Sequence, residues 1–291
     1  MATVFYDKAS VNVEWGTTNE TLLASDFTVN LSSSAQPLYA IGNKGSLGQF
    51  PSSARVGDAS FNFITSLTGV NYGQKGNLIN FLASGIKHSV GSMASGVTIS
   101  GAGVKGIGFL NSYSFNVASN SISTSSASFT FFGSGSQLPV SGRLADSTAR
   151  VGIGTTSLAT GVAHGRYTPL TTLQTTINLG GGDAQTGTVF GADYSISFNH
   201  NPIYKMGQEF PVTSLYTTAQ ESINVTEDIF QSGLAFDETA RDYTIDLHGL
   251  DNASTNDQMQ LKMISGKQVS TSMSAGLDDI VRSQKTLTAS Y

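Results

Sequence analysis

The chain has no cysteine. Disulfides and zinc–thiolate sites are therefore excluded, and folding in a reducing cytoplasm is expected. Charge is scarce as well. Asp, Glu, Lys and Arg make up 12% of the residues, about half the usual share. Ser, Thr, Asn and Gly fill the gap. A free monomer normally stays soluble through charge, so a neutral polar surface suits faces that neighbours cover in an assembly. It is equally the habit of a β-rich chain with many turns. No stretch is strongly basic, and the net charge is −5. Sequence-specific nucleic-acid binding thus lacks its electrostatic footprint, whereas a mildly acidic surface lets nucleic acid pass without sticking. The opening MATVFYDKASVNVEWG has neither a basic nor an apolar leader region, so no signal peptide is expected. No apolar run is long enough for a membrane helix. An outer-membrane barrel would need an export signal, so no membrane partner is expected.

What the chain does have is alternation. Phe27-Thr-Val29-Asn-Leu31, Phe61-Asn-Phe63, Tyr113-Ser-Phe115-Asn-Val117 and Phe129-Thr-Phe131 place apolar side chains at every second residue. Tyr194-Ser-Ile196-Ser-Phe198, Ile223-Asn-Val225 and Tyr243-Thr-Ile245-Asp-Leu247 do the same later on. Each predicts a strand with one packed and one polar face, and Gly, Asn, Ser and Pro between them supply turns. One short helix is predicted over Asn77–Ser84, where Leu78, Ile79, Phe81 and Leu82 fall close to one face and Gly85 follows as a stop. Residues 277–283 fit either a helical turn or a strand end.

The two halves resemble each other in order. Asp26-Phe-Thr-Val-Asn-Leu31 matches Asp193-Tyr-Ser-Ile-Ser-Phe198, an offset of 167. Pro37-Leu38-Tyr39 with Gly42 is answered by Pro202-Ile203-Tyr204 with Gly207. Ala59–Phe63 matches Glu221–Val225 at 162, Ser112–Val117 is echoed by Val269–Met273, and Ser128–Phe131 matches Thr286–Ala289 at 158. A drifting offset is what loop-length differences produce in a duplicated domain. The expected organisation is an N-terminal arm (1–20), a first β-domain (21–140), a linker or arm (141–168) and a second β-domain (169–291) that repeats the first. Two like domains in one chain favour head-to-tail packing that closes into a ring or winds into a tube.

Constellations that carry chemistry are missing. Gly101-Ala-Gly103-Val-Lys-Gly106 fits a dinucleotide fingerprint in letters only; it precedes a strand-like run instead of opening a helix, so it reads as a hairpin loop. His88, His164, His200 and His248 are too far apart for ligand pairs. Asp278-Asp279 lacks the spacing of a calcium loop. Asp242 and Asp246 read as the polar face of a strand, and Glu227-Asp228 and Asp237-Glu238 as loop flanks. Trp15 is a candidate assembly anchor or a local core residue. No catalytic, cofactor-binding or metal-binding residue is assigned, and no enzyme activity is expected.

The stretch from Leu110 to Gly133, with Ser112-Tyr-Ser-Phe-Asn-Val117 leading through a small polar turn to Ala127-Ser-Phe-Thr-Phe131, is similar to the late hairpin of tail structural domains in long-tailed bacteriophages. With the tandem organisation, the chain resembles tail tube (major tail) proteins carrying a duplicated tube domain. The resemblance implies two β-sandwich or partly closed barrel domains with a helix on one flank. It implies that inner sheets join side by side around a hollow ring of six domains, so three two-domain chains would make a pseudo-hexamer. Stacked rings would conduct DNA through a mildly acidic lumen, with the arms at 1–20 and 141–168 reaching between rings or subunits. The implied setting is the virion tail, assembled in the host cytoplasm. The implied partners are other copies of the chain, with tape-measure, baseplate, tail terminator and sheath proteins. The second half departs from the pattern: it offers Ala235–Arg241, only weakly helical, where the first has Asn77–Ser84. A baseplate hub, distal tail or collar ring is the alternative within the structural class. A carbohydrate-binding adhesin or tail-fibre module is the alternative outside it, and a depolymerase would need carboxylates gathered in a groove.

Overall fold

The protein is described by a computed structural model over residues 10–15, 18–32, 34–42, 44–51, 56–64, 66–67, 97–101, 104–118, 121, 123–132, 168–178, 184–185, 189–206, 213–228, 236, 238–249, 258–276 and 281–290. Over these residues it is mostly β, without a helix, and it is dominated by one large antiparallel sheet. The expected helix at Asn77–Ser84 lies outside the described residues, as does the linker 141–168 except for Thr168, which opens a strand.

The first half holds β1 (Ser10–Trp15), β2 (Thr18–Ser32), β3 (Ala35–Tyr39), β4 (Ser46–Pro51), β5 (Val56–Ile64), β6 (Ser66–Leu67), β7 (Val97–Gly101), β8 (Val104–Ala118) and β9 (Thr124–Phe132). The second holds β10 (Thr168–Asn178), β11 (Ala184–Gln185), β12 (Val189–Ile203), β13 (Thr213–Asp228), β14 (Arg241–Gly249), β15 (Gln258–Ser274) and β16 (Arg282–Ser290).

Long strands do the bending. The start of β2 pairs with β1 and its remainder, from Ala24, with β5. Likewise Val104–Gly108 of β8 pairs with β7, and Phe109–Asn116 with β9. Because β1 also pairs with β7, the circuit β2-β5-β9-β8-β7-β1 closes on itself. The second half runs β12-β13-β16-β15-β14-β10-β11. Here β11 and β12 together stand where β2 stands alone. As in β8, β15 changes partner midway, from β14 up to Gly266 to β16 from Lys267.

The corner residue is glycine in β8 and in β15. A Cβ on Gly108 would lie 3.0 Å from Phe129 Cβ and from the Phe131 ring. One on Gly266 would lie 2.9 Å from Tyr243 Cδ2 and against Met263 Sδ. A strand that turns from one layer to another brings its backbone close to the layer it leaves, and only glycine fits there. Ser265 just before has φ of 54°, and its N–H donates to Asp242 Oδ1 at 3.1 Å.

The correspondence between halves extends to register. Adding 158 to each residue number of the β8–β9 pairing returns the β15–β16 pairing pair for pair, bulge included. Adding 167 on β2 and 162 on β5 carries Asp26–Ser32 against Val56–Asn62 onto Asp193–Asn199 against Thr218–Asn224. One joint differs: Ala59 faces Phe129, whereas Glu221 faces Ala289, not Leu287. That slip is of two residues, so every side chain stays on its own face.

The core lies on the inward face of these strands. Val11, Val13, Phe61, Ile99, Leu110, Tyr113, Phe115 and Phe129 are at most 1% exposed in the first half, and Ile196, Ile223, Val225 and Met263 in the second. Phe61 and Phe129 stack at 6.0 Å. Residues 10–15 thus belong to the sheet and the core, and they correct the expectation of an arm over 1–20 for that stretch. Val11 and Val13 alternate with polar residues, and the pattern that made the segment look extended is what lets it fill the gap between β2 and β7.

Candidate assembly interface

Two halves meet edge to edge. Ser112–Ala118 of β8 pairs antiparallel with Gly191–Ser197 of β12. The order β2-β5-β9-β8 is thereby continued by β12-β13-β16-β15 in one eight-stranded run. Several side chains strengthen this joint. Tyr113 and Tyr194 pack with ring centroids 6.4 Å apart. Asn116 Nδ2 donates to Asp193 Oδ1. His200 Nε2 bonds the Leu110 carbonyl at 2.8 Å, and its ring lies 5.8 Å from that of Phe109. Burial lowers the His200 pKa below the usual 6.5, and the smaller effect of the carbonyl hydrogen bond opposes it.

The face of this run turned away from the core is polar and poor in charge. Ser112 with Ser128 and Ser114 with Ser126 share hydrogen bonds of 2.7 Å. Asn111 donates to Thr130 at 2.6 Å, which donates to Asp58 at 2.9 Å. Asn62 Nδ2 donates to Asp26 at 2.7 Å, and Thr286 to Asn224 at 2.8 Å. The serines and asparagines that alternate with the core residues therefore bond one another across strands. The carboxylates Asp26, Asp58 and Asp193 are held within this lattice.

Beyond β8 and β12, the run ends in two edges. Among the described residues, β2 pairs over Ala24–Ser32 with β5 alone, and β15 pairs over Lys267–Ser274 with β16 alone. Their inward side chains are incompletely covered. Phe27 and Val29 are only partly buried, and Met273 is 58% exposed. The equivalent residues at the internal joint, Tyr194, Ile196 and Phe115, are at most 2% exposed.

A second uncovered feature projects from the fold. Among the described residues, β3 and β4 pair only with each other. Leu38, Tyr39, Ile41 and Leu47 are exposed there. At the matching place, where β12 ends, Ile203, Tyr204 and Met206 are exposed too. A lone two-stranded hairpin is marginal in water, and exposed apolar groups of this kind mark contact surfaces.

The residues singled out for chemistry do not converge. Gly101 and Val104 pair across a tight β7–β8 hairpin, so the glycine-rich segment joins two strands. His200 lies at the joint and His248 in β14, while His88, His164 and Asp278-Asp279 fall outside the described residues. Asp242 accepts the Ser265 N–H, and Asp246 lies along β14. Glu227 was expected at a loop flank. Instead it is fully buried, paired with Lys285 Nζ at 3.0 Å. Its inward position follows from the period of β13: Ile223, Val225 and Glu227 share one face. That period also buries Glu221, which accepts from Tyr194 Oη. Asp228 ends β13, Glu238 is exposed and Asp237 lies outside the described residues. Trp15 closes β1 opposite Thr18. Among the described residues no group of three or more His, Asp or Glu is arranged to hold a metal, and no helix is long and apolar enough to cross a membrane. No protein-family model and no curated protein matches the chain.

Proposed function

We propose that this chain is a structural virion protein of the phage tail tube kind, whose two repeated β-domains build rings that stack into a conduit for DNA. The observation that carries the reading is the β8–β12 joint. Two halves with the same strand order are already fused side by side in one sheet, as successive subunits of a ring would be. The lattice of Ser, Thr, Asn and Asp on the outer face supports the second part. It offers hydrogen-bonded neutral groups and a few carboxylates, which gives a phosphate backbone little to hold. Eight strands from each of three chains, at about 4.8 Å per strand and a tilt of roughly 40°, would enclose a backbone ring about 48 Å across. Side chains would narrow that by about 10 Å, and a DNA duplex still passes.

The exposed hairpin and its counterpart favour a stacked tube over the alternative of a single baseplate or collar ring. Both present apolar residues at equivalent places, Leu38-Tyr39 and Ile203-Tyr204, so a ring would carry them at regular intervals. Such a repeat fits a second ring of the same symmetry.

Negative-stain electron microscopy of the purified chain tests the reading. Hollow rings or tubes with threefold or pseudo-sixfold class averages are expected. Monodisperse monomers at all concentrations would count against it, and isolated rings that never stack would favour the baseplate or collar role.

A further inference from the structure

Apart from the two-residue β6–β10 contact, the two halves meet through one edge pairing, and the same two edges recur at the ends of the eight-stranded run, uncovered among the described residues. The edge that β8 offers to β12 is matched by β15, residue for residue at an offset of 158. The edge that β12 offers to β8 is matched by β2 at an offset of 167. Resting on the ring reading, we infer that β15 of one chain pairs antiparallel with β2 of a second copy, in the register of the internal joint.

The register follows by transfer. Ser112 opposite Ser197 becomes Ser270 opposite Asn30 of the next copy. Phe115 opposite Tyr194 becomes Met273 opposite Phe27, and Asn116 opposite Asp193 becomes Ser274 opposite Asp26. Three observations fit this occupant. Met273 is exposed and Phe27 only partly buried, where their equivalents Phe115 and Tyr194 are at most 2% exposed. An uncovered β-edge with unpaired backbone groups is a template for another strand. Asp26 holds the place of Asp193, and the Ser274 hydroxyl can donate to it as Asn116 donates to Asp193. His200 has no histidine counterpart in the first half: the offset of 167 reaches Ser33 in the sequence, one residue past the end of β2. The joint between chains therefore lacks the imidazole clamp of the joint within the chain, and it is the one that opens first.

The absence of cysteine makes the test clean. Ser272 and Thr28 are exposed, and transfer of the Ser114–Ser195 pair sets them opposite each other between copies. Direct cross-strand partners lie about 4.5–5.5 Å apart at Cα, within the range a disulfide spans. Within one chain the same two positions are seven strand spacings apart, about 34 Å, so a bond between them joins two chains. The S272C/T28C protein is oxidised, examined on non-reducing gels and imaged in parallel; S272C/S32C, about 13 Å out of register, is the control. A ladder of covalent oligomers at least tenfold stronger than the control, lost on reduction, is expected. Rings in the images without that ladder would overturn this junction and leave the ring reading standing. Monomers with no disulfide at any concentration would overturn both.

Discussion

At the scale of single residues, the second half differs from the first in what it buries. Where the first packs Ala59, Ala127 and Leu110, the second has Glu221, Lys285 and Gln268, all largely buried. Glu227 Oε1, Ser283 Oγ and Thr271 Oγ1 have no hydrogen-bond partner among the described residues. The Glu227–Lys285 pair is therefore expected to behave as a buried ion pair. Lys285→Met should destabilise the fold by about 3–5 kcal/mol because it strands a buried carboxylate, and adding Glu227→Gln should recover most of that; urea unfolding reads both. Gly266→Ala places a methyl against Tyr243 and Met263 and should cost about 1–3 kcal/mol by thermal melting. The sign of the His200 effect follows from its lowered pKa. Above 6.5 the imidazole is neutral whether the chain is folded or not, and its contribution is fully present. As pH falls through 6.5 the unfolded chain takes the proton first, and stability is lost until the lower folded value is passed. The melting temperature should therefore fall between about pH 7.5 and pH 5.5 more steeply in the native chain than in His200→Gln.

Among elements, the bent strands and the projecting hairpin matter most. The alternation of β2, β5, β8, β9, β12 and β13 was legible because one face of each is packed and the other carries the Ser/Thr/Asn lattice. Their bends were not legible. Nothing local distinguishes Gly108 or Gly266 from a turn glycine, and only the change of partner strand shows why each must lack a side chain. The Pro-apolar-Tyr steps could be matched between halves, but their exposure could not be read, since Leu38 and Tyr39 look like core residues in the sequence. Leu38→Ser with Tyr39→Ser should leave the unfolding free energy from urea titration within about 0.5 kcal/mol of the native chain, as expected for exposed positions. Under the tube reading the same change should shorten tubes to single rings in electron micrographs.

On the scale of the whole molecule, the halves add into one sheet, and their buried apolar residues run together into one cluster across the joint. Contact between them rests on the β8–β12 and β6–β10 backbone pairings, the Tyr113–Tyr194 packing, the Asn116–Asp193 bond and the His200 ring against Phe109 and the Leu110 carbonyl. Association by edge pairing needs no new fold in either partner, so a copy can join while keeping its own core intact. Mutating the joint within the chain should therefore loosen the sheet before either half unfolds. Tyr194→Ala is expected to raise hydrogen exchange over Ser112–Ala118 and Gly191–Ser197 ahead of exchange in the core strands β5 and β13.

The sequence by itself determined that this is a β-protein, because period-two patterning leaves no other way to bury Phe and Tyr at alternate residues. It also determined the order of matching segments, since the offsets 167, 162 and 158 need only local similarity. Which strand lies beside which is a long-range choice that no local pattern encodes. Tertiary structure decided that residues 10–15 complete a closed circuit, that Glu227 finds Lys285, and that β8 meets β12 in the register that leaves β2 and β15 uncovered. Edges are properties of a sheet, and a strand acquires one only when its neighbours have been placed.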